Sequence, residues 1–119
     1  MVKFQELRVW QISKDLAVNV YSITRGKEFS KDYGPKDQIQ RAAVSIASNN
    51  AEGDESGTDK IAIRHFYITK GSAAELITQL IIASEIGYLE ESYKETIINE
   101  CDKISAMLSK LIIARSSFI

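Results

Sequence analysis

Few side chains in this sequence can make or break bonds. There is one histidine, His65, and one cysteine, Cys101. A nucleophilic pair would need the imidazole beside the thiol. Cys101 falls on the apolar stripe of a predicted helix, where a free thiol acts as a small hydrophobe. A di-metal site in a helical bundle needs Glu-x-x-His motifs on two helices. The residue three before His65 is Ala62, so that motif is missing. No Cys or His cluster has zinc spacing, and Gly53, Gly57, Gly71 and Gly87 are too scattered to cradle a phosphate. The sequence therefore predicts no catalytic residue, metal, cofactor or small-molecule substrate. Two carboxylates, Glu52 and Glu75, fall in predicted helices beside small or apolar residues. A buried carboxylate must be paired, hydrogen-bonded or protonated. Three readings stand: a small enzyme using both carboxylates, plain solvation, and a structural network with Arg41, Ser45, Asn49 or Ser72. The last is preferred.

These residues must be positioned by helices. The stretch Gln38 to Gly53 carries two stripes. Ile39, Ala42, Ala43, Ile46 and Asn50 recur at helical spacing. Gln38, Arg41, Ser45, Asn49 and Glu52 form a polar stripe beside them, able to bond within the fold or across subunits. Small residues on the first stripe let a neighbouring helix approach closely. Asn50 breaks the apolar stripe. It is either a core residue that sets register or a stripe-edge residue touching water.

Four helices are expected. The first spans about Phe4 to Thr24, with Val9, Ile12, Leu16, Val20 and Ile23 inward. A polar connection, Lys27 to Gly34, is anchored by Phe29 and Tyr33. Pro35 opens the second helix, where its missing N–H is harmless, and that helix runs to about Glu52. Gly53 to Asp59 reads as a loop. The third helix spans about Asp59 to Ile86. Phe66, Ala73, Leu76, Leu80 and Ala83 line its inner face, and Tyr67, Ala74, Ile77 and Ile81 form a second apolar stripe. That face is wider than one packed seam needs; the helix is either the most buried of the set or meets another subunit. Gly87 ends it. Ser92 and Glu95 suggest a capping box for the fourth helix, whose seam is Ile97, Cys101, Ile104, Leu108 and Leu111. No stretch alternates with period two, so the expected fold is all-α: an antiparallel up-down-up-down four-helix bundle, residues 1–119 forming one domain.

Bulk properties narrow the partners. The chain has 119 residues and a net charge of -1, which gives no global case for nucleic acid or an anionic membrane. Residues 1–50 sum to +3 and residues 51–119 to -4. A single cysteine precludes an internal disulfide and fits a reducing compartment. No secretory signal is visible, and the most apolar run, Leu76 to Ala83, is too short to span a bilayer. A cytoplasmic location is expected. Candidate nucleic-acid contacts are Arg8, Lys14, Lys36, Arg41 and Arg64.

The run Q-I-Q-R-A-A-V-S-I-A-S-N-N-A-E-G from Gln38 to Gly53 resembles the bundle proteins encoded in intervening sequences of bacterial large-subunit ribosomal RNA genes, often labelled ribosomal protein. Gln38, Arg41, Ala42, Ala43, Ser45, Ile46, Asn49, Ala51, Glu52 and Gly53 match the usual pattern. So do Phe4, Leu7, Val9, Trp10 and Gln11 near the start, Tyr33-Gly34, Phe66, Gly71-Ser72 with Glu75 and Leu76, and Gly87-Tyr88. Gln40 stands where the usual run has arginine, and Asn50 where it has an aliphatic residue. The resemblance implies a non-enzymatic four-helix bundle assembled as a ring, commonly a homopentamer. The family is also similar to accessory proteins of diversity-generating retroelements, which implies an RNA- or protein-binding role.

Overall fold

In the computed structural model, residues 3–117 are described, and they are helical almost throughout. A short 3-10 turn, Phe4–Glu6, precedes α1 (Arg8–Ile23), α2 (Lys27–Lys31), α3 (Tyr33–Glu55), α4 (Asp59–Glu85) and α5 (Glu91–Ser116). No strand occurs among the described residues. The four long helices make a rod measuring 47 × 20 × 20 Å.

Hydrogen bonds between helices fix their directions. Gln40 bonds Thr24 and Asn50 bonds Ser13, so α1 and α3 are antiparallel. Gln79 reaches Gln38 while Ser72 meets Ser45, so α3 and α4 are antiparallel. Lys70 bonds Ser109 and Ser84 bonds Glu91, which sets α5 against α4 in the same way. α5 also packs on α1, which leaves α1 and α4 diagonally opposed. The predicted stripes converge on one axis: Leu16, Ile39, Ile46, Phe66, Leu76, Leu80, Ile104 and Leu108 are all buried.

Local chemistry moves several expected boundaries. Leu7 is extended, which separates the Phe4 turn from α1. Phe4 thereby folds edge-on to Trp10, ring centroids 5.3 Å apart, and Gln11 donates back to the Gln5 carbonyl at 3.0 Å. The connection expected at 27–34 contains a helical turn. Phe29 is its anchor, fully buried against Tyr88, whereas Tyr33 stands 73% exposed beneath the Lys36 ammonium. Pro35 is the third residue of α3, still within the first turn, whose N–H groups have no intrahelical partner.

The expected loop at 53–59 shrinks to Ser56, Gly57 and Thr58, because α3 continues to Glu55. Gly53 is a packing residue and not a turn residue. A Cβ there would lie 3.0 Å from the His65 Cβ and 3.2 Å from the Ala62 carbonyl oxygen. Thr58 caps α4 by accepting from the Ile61 N–H at 3.3 Å. Gly87, at φ 86°, ends α4 with Gly87 N–H donating to Ser84 and Tyr88 N–H donating to Ala83. The Ser92 capping box does not form. Glu90 occupies the cap position without a side-chain bond, and Glu91 takes the Lys94 ammonium at 2.6 Å. On α5 the seam drifts from the heptad, as 3.6 residues per turn requires: Ile112 is buried and Leu111 only half so.

Asn50 is the core reading of the two posed by the sequence. It is fully buried; its amide donates to Ser13 Oγ at 2.9 Å, and its carbonyl accepts from Thr69 Oγ1 at 3.0 Å. Ser13 passes its own proton to the Val9 carbonyl at 2.7 Å. Three helices are thus joined by one buried polar chain. Removing a single member leaves buried groups unpaired, whereas replacing every member by apolar groups of similar shape is close to neutral. Asn50→Ala should cost about 2–3 kcal/mol in urea unfolding. The triple change Ser13→Ala, Asn50→Leu, Thr69→Val should recover most of that loss.

Candidate functional site

The polar stripe of α3 lies along its seam with α4 and forms a ladder with three rungs, the last two linked through Ser45. At one end Gln79 donates to Gln38 Oε1 at 3.5 Å and to Glu75 Oε1 at 3.2 Å. In the middle the Ser45 and Ser72 hydroxyls meet at 3.0 Å. At the other end Asn49 donates to the carbonyl and hydroxyl oxygens of Ser45, at 2.9 and 3.0 Å, and faces His65 Nδ1 at 3.0 Å. Since the Ser45 carbonyl can only accept, the Asn49 amide orientation is fixed and its Oδ1 must accept from His65. The neutral imidazole therefore carries its proton on Nδ1. Glu52 Oε2 lies 3.9 Å from that nitrogen, an ion pair only when the ring is protonated.

Six of the seven stripe candidates, Gln38, Ser45, Asn49, Glu52, Ser72 and Glu75, sit on this seam. Arg41 does not: its side chain is 80% exposed and lies 3.6 Å from Asp37, one turn earlier on α3. His65 and Gln79 complete the ladder, although the sequence singled out His65 only as a partner for Cys101 and Gln79 only as an interruption. Their signal was the antiparallel register itself, in which α3 and α4 partners have residue numbers of nearly constant sum.

The geometry opposes an acid–base pair. Glu52 and Glu75 are both exposed. Glu52 is level with His65, ten residues before Glu75, so the carboxylates are about 15 Å apart along the rod. A Cys–His pair is equally remote. Cys101 is fully buried on the inner face of α5. Burial pushes its thiol up to about 12, with the nearby Asp102 and Glu100 carboxylates adding to the effect. Among the described residues, no group of three His, Cys, Asp or Glu side chains is placed to hold a metal, and no helix is long and apolar enough to cross a membrane.

The five cationic candidates do not converge. Arg8, Lys14 and Arg64 lie toward one end of the rod; Lys36 and Arg41 lie toward the other. In the antiparallel register of α1 and α3, Arg8 is level with Glu55, so Arg8 and Lys36 are separated by nearly 30 Å of helix rise, roughly twenty residues. Lys14 is engaged by Asp15 at 2.7 Å, and Lys36 stacks over the Tyr33 ring at 4.7 Å. A cation that the sequence did not single out, Arg115, is the most deeply engaged. It pairs with Asp54 at 3.2 Å and Asp59 at 3.5 Å and lies over the Phe66 ring, tying the end of α5 to the α3–α4 connection.

Two surfaces are unusually apolar. An open groove of about 610 Å³ runs between α1 and α3, walled by Trp10, Val18, Tyr21 and Val44, with Lys14 and Arg25 at its edge. On α4 the second stripe expected from the sequence is largely bare: Tyr67 is 58% exposed and Ile81 39%, with Ile68 and Ile82 beside them.

These features define an all-helical bundle whose distinctive polar residues sit on a helix–helix seam. The chain belongs to the 23S rRNA-intervening sequence protein family, whose model matches residues 5–110. Among solved structures, it is similar to a protein of unknown function from the S23 ribosomal protein family of Bacteroides thetaiotaomicron. The two are 23% identical with a TM-score of 0.79, over 87% of this chain and 97% of the other. That likeness establishes the shared helical fold. No curated protein matches the chain.

Three measurements probe the site. Cys101 should be silent to a disulfide reagent at pH 8 in the folded protein and react fully in urea. With a folded pKa above the unfolded value, its stabilising contribution is whole below about pH 9 and declines as the pH rises toward 12. Gly53→Ala should lower stability by about 1–2 kcal/mol despite alanine's better helix propensity, because the contacts to His65 Cβ and the Ala62 carbonyl are rigid. Nitrogen-detected NMR of His65 should report the Nδ1–H tautomer.

Proposed function

We propose that this protein is a non-enzymatic, cytoplasmic, homo-oligomeric adaptor whose business is docking other macromolecules. The observation that carries this reading is the broad bare face of α4, where Ile61, Tyr67, Ile68, Ile82 and Ile86 are between 43 and 58% exposed. Contiguous apolar surface on a small soluble domain marks an interaction site. The family resemblance favours a ring of five copies. Light scattering coupled to size exclusion tests the assembly; a species near the 13.3 kDa chain mass at tens of micromolar would end it.

The surface chemistry favours a protein over RNA as the cargo. Phosphate binding needs cations gathered along one track, and Arg8, Lys14, Lys36, Arg41 and Arg64 are dispersed and partly engaged. In gel shifts with ribosomal RNA fragments across a salt series, weak or absent binding at low salt is expected. Tight binding that falls steeply with salt, and is lost on replacing Arg8 and Arg64, would instead support RNA as the cargo.

A further inference from the structure

Gln79 is the one place where the bonding of the α3–α4 seam does not close. Its Oε1 is the only buried side-chain nitrogen or oxygen without a partner among the described residues. Such atoms are rare in folded proteins, because each carries an unrecovered desolvation cost. Turning the amide over does not cure it. The oxygen would then face the Glu75 carboxylate, which can only accept, and the amide nitrogen would be stranded instead. The amide is also lightly held. Its Nε2 reaches Gln38 at 3.5 Å, the outer limit of a hydrogen bond, and the exposed Glu75 at 3.2 Å.

Gln79 lines a cleft. The start of α3 and the end of α4 enclose about 220 Å³, walled by Pro35 and Ile39 on one helix and by Ile82 and Ile86 on the other, with Gln38 and Gln79 the only polar side chains. That space is several times the share of one water, roughly 30 Å³. Water filling it would have two polar side chains to bond, whereas a buried water usually has about three partners. The space is smaller than the roughly 300 Å³ at which pockets for drug-sized ligands begin. A single ring system is the size that fits: its faces bury against Pro35 and the isoleucines, and one donor on its edge satisfies Gln79.

We propose that the α3–α4 cleft binds an aromatic ring carrying a hydrogen-bond donor, as an indole does, and that Gln79 is the acceptor. The inference goes beyond the assembly and docking readings above and requires neither. A rotation of the Gln79 amide trades its long contact with Gln38 for a bond from the ligand N–H to Oε1. Ile82 and Ile86, each about half exposed, lose water to the ring, which supplies the apolar part of the affinity. The ring can be free or can be the side chain of a tryptophan on another protein; its chemistry is the same in both.

An NMR titration of the native protein with indole tests it. Shifts should concentrate on the Gln79 side-chain amide and on the Ile82 and Ile86 methyl groups. Benzofuran has the same shape with an oxygen in place of the N–H, and it should bind about tenfold more weakly. In Gln79→Met the acceptor is gone while an unbranched side chain remains. Both rings should then bind alike, and the variant should melt no lower than the native protein. N-acetyltryptophanamide separates the two sources. Binding at the same residues assigns the cleft to a tryptophan presented by another protein, and binding of indole alone assigns it to a free heterocycle. Equal affinities of indole and benzofuran for the native protein would overturn the role of Gln79. Shifts centred elsewhere, or none at millimolar indole, would overturn the site itself.

Discussion

Close approach of α3 and α4 is the constraint on which the rest of the structure depends. Ala42, Ala43 and Gly53 on one helix and Ala62, Ser72 and Ala73 on the other are small and buried. Dispersion and burial reward that proximity only if no polar group is stranded in the seam. The Ser45–Ser72 contact and the Asn49–His65 contact meet that requirement over most of the seam by letting short side chains satisfy one another; at the Gln38 end Gln79 Oε1 is buried without a partner. The seam then fixes where Asn50 lies, and Asn50 in turn fixes the height of α1 through Ser13. α5 is set last, against a surface the other three have already determined, and Arg115 secures its far end.

The same constraint governs what fills the interior among the described residues. The space between the helices is filled by side chains such as Phe66, Leu76 and Leu108, and the polar groups that do enter bond one another, with Gln79 Oε1 the exception. Carboxylates stay at the exposed edge of the seam. Glu52 and Glu75 fringe it, exposed to solvent.

How much of this was legible in the residues alone follows from the kind of signal each feature carries. Helix positions came from periodicity, which is local, and Ile39, Ile46, Leu76 and Leu108 all turn inward as their spacing requires. Features that depend on a second helix were harder. Gly53 looked like a loop residue because glycine usually signals a turn; here it answers to His65 and Ala62 across the seam. The polar stripe was visible, but not which of its members bond, since that needs the register between α3 and α4. Ser92 and Glu95 have capping-box spacing, yet the helix begins earlier because Glu91 is claimed by Lys94 and Ser84. The scatter of Arg8, Lys14, Lys36, Arg41 and Arg64 is a three-dimensional fact that charge counting cannot supply.

The Arg115 clamp has a consequence for how the chain reaches its final form. Asp54 and Asp59 flank the short connection between α3 and α4, and their cation arrives from the last turn of α5, 61 positions beyond Asp54. During synthesis the α3–α4 hairpin therefore emerges before the cation that pairs with the two carboxylates at its bend, and this clamp cannot form until the ribosome has translated Arg115. The hairpin is the early, provisional half of the molecule, and closure of the rod is a late event.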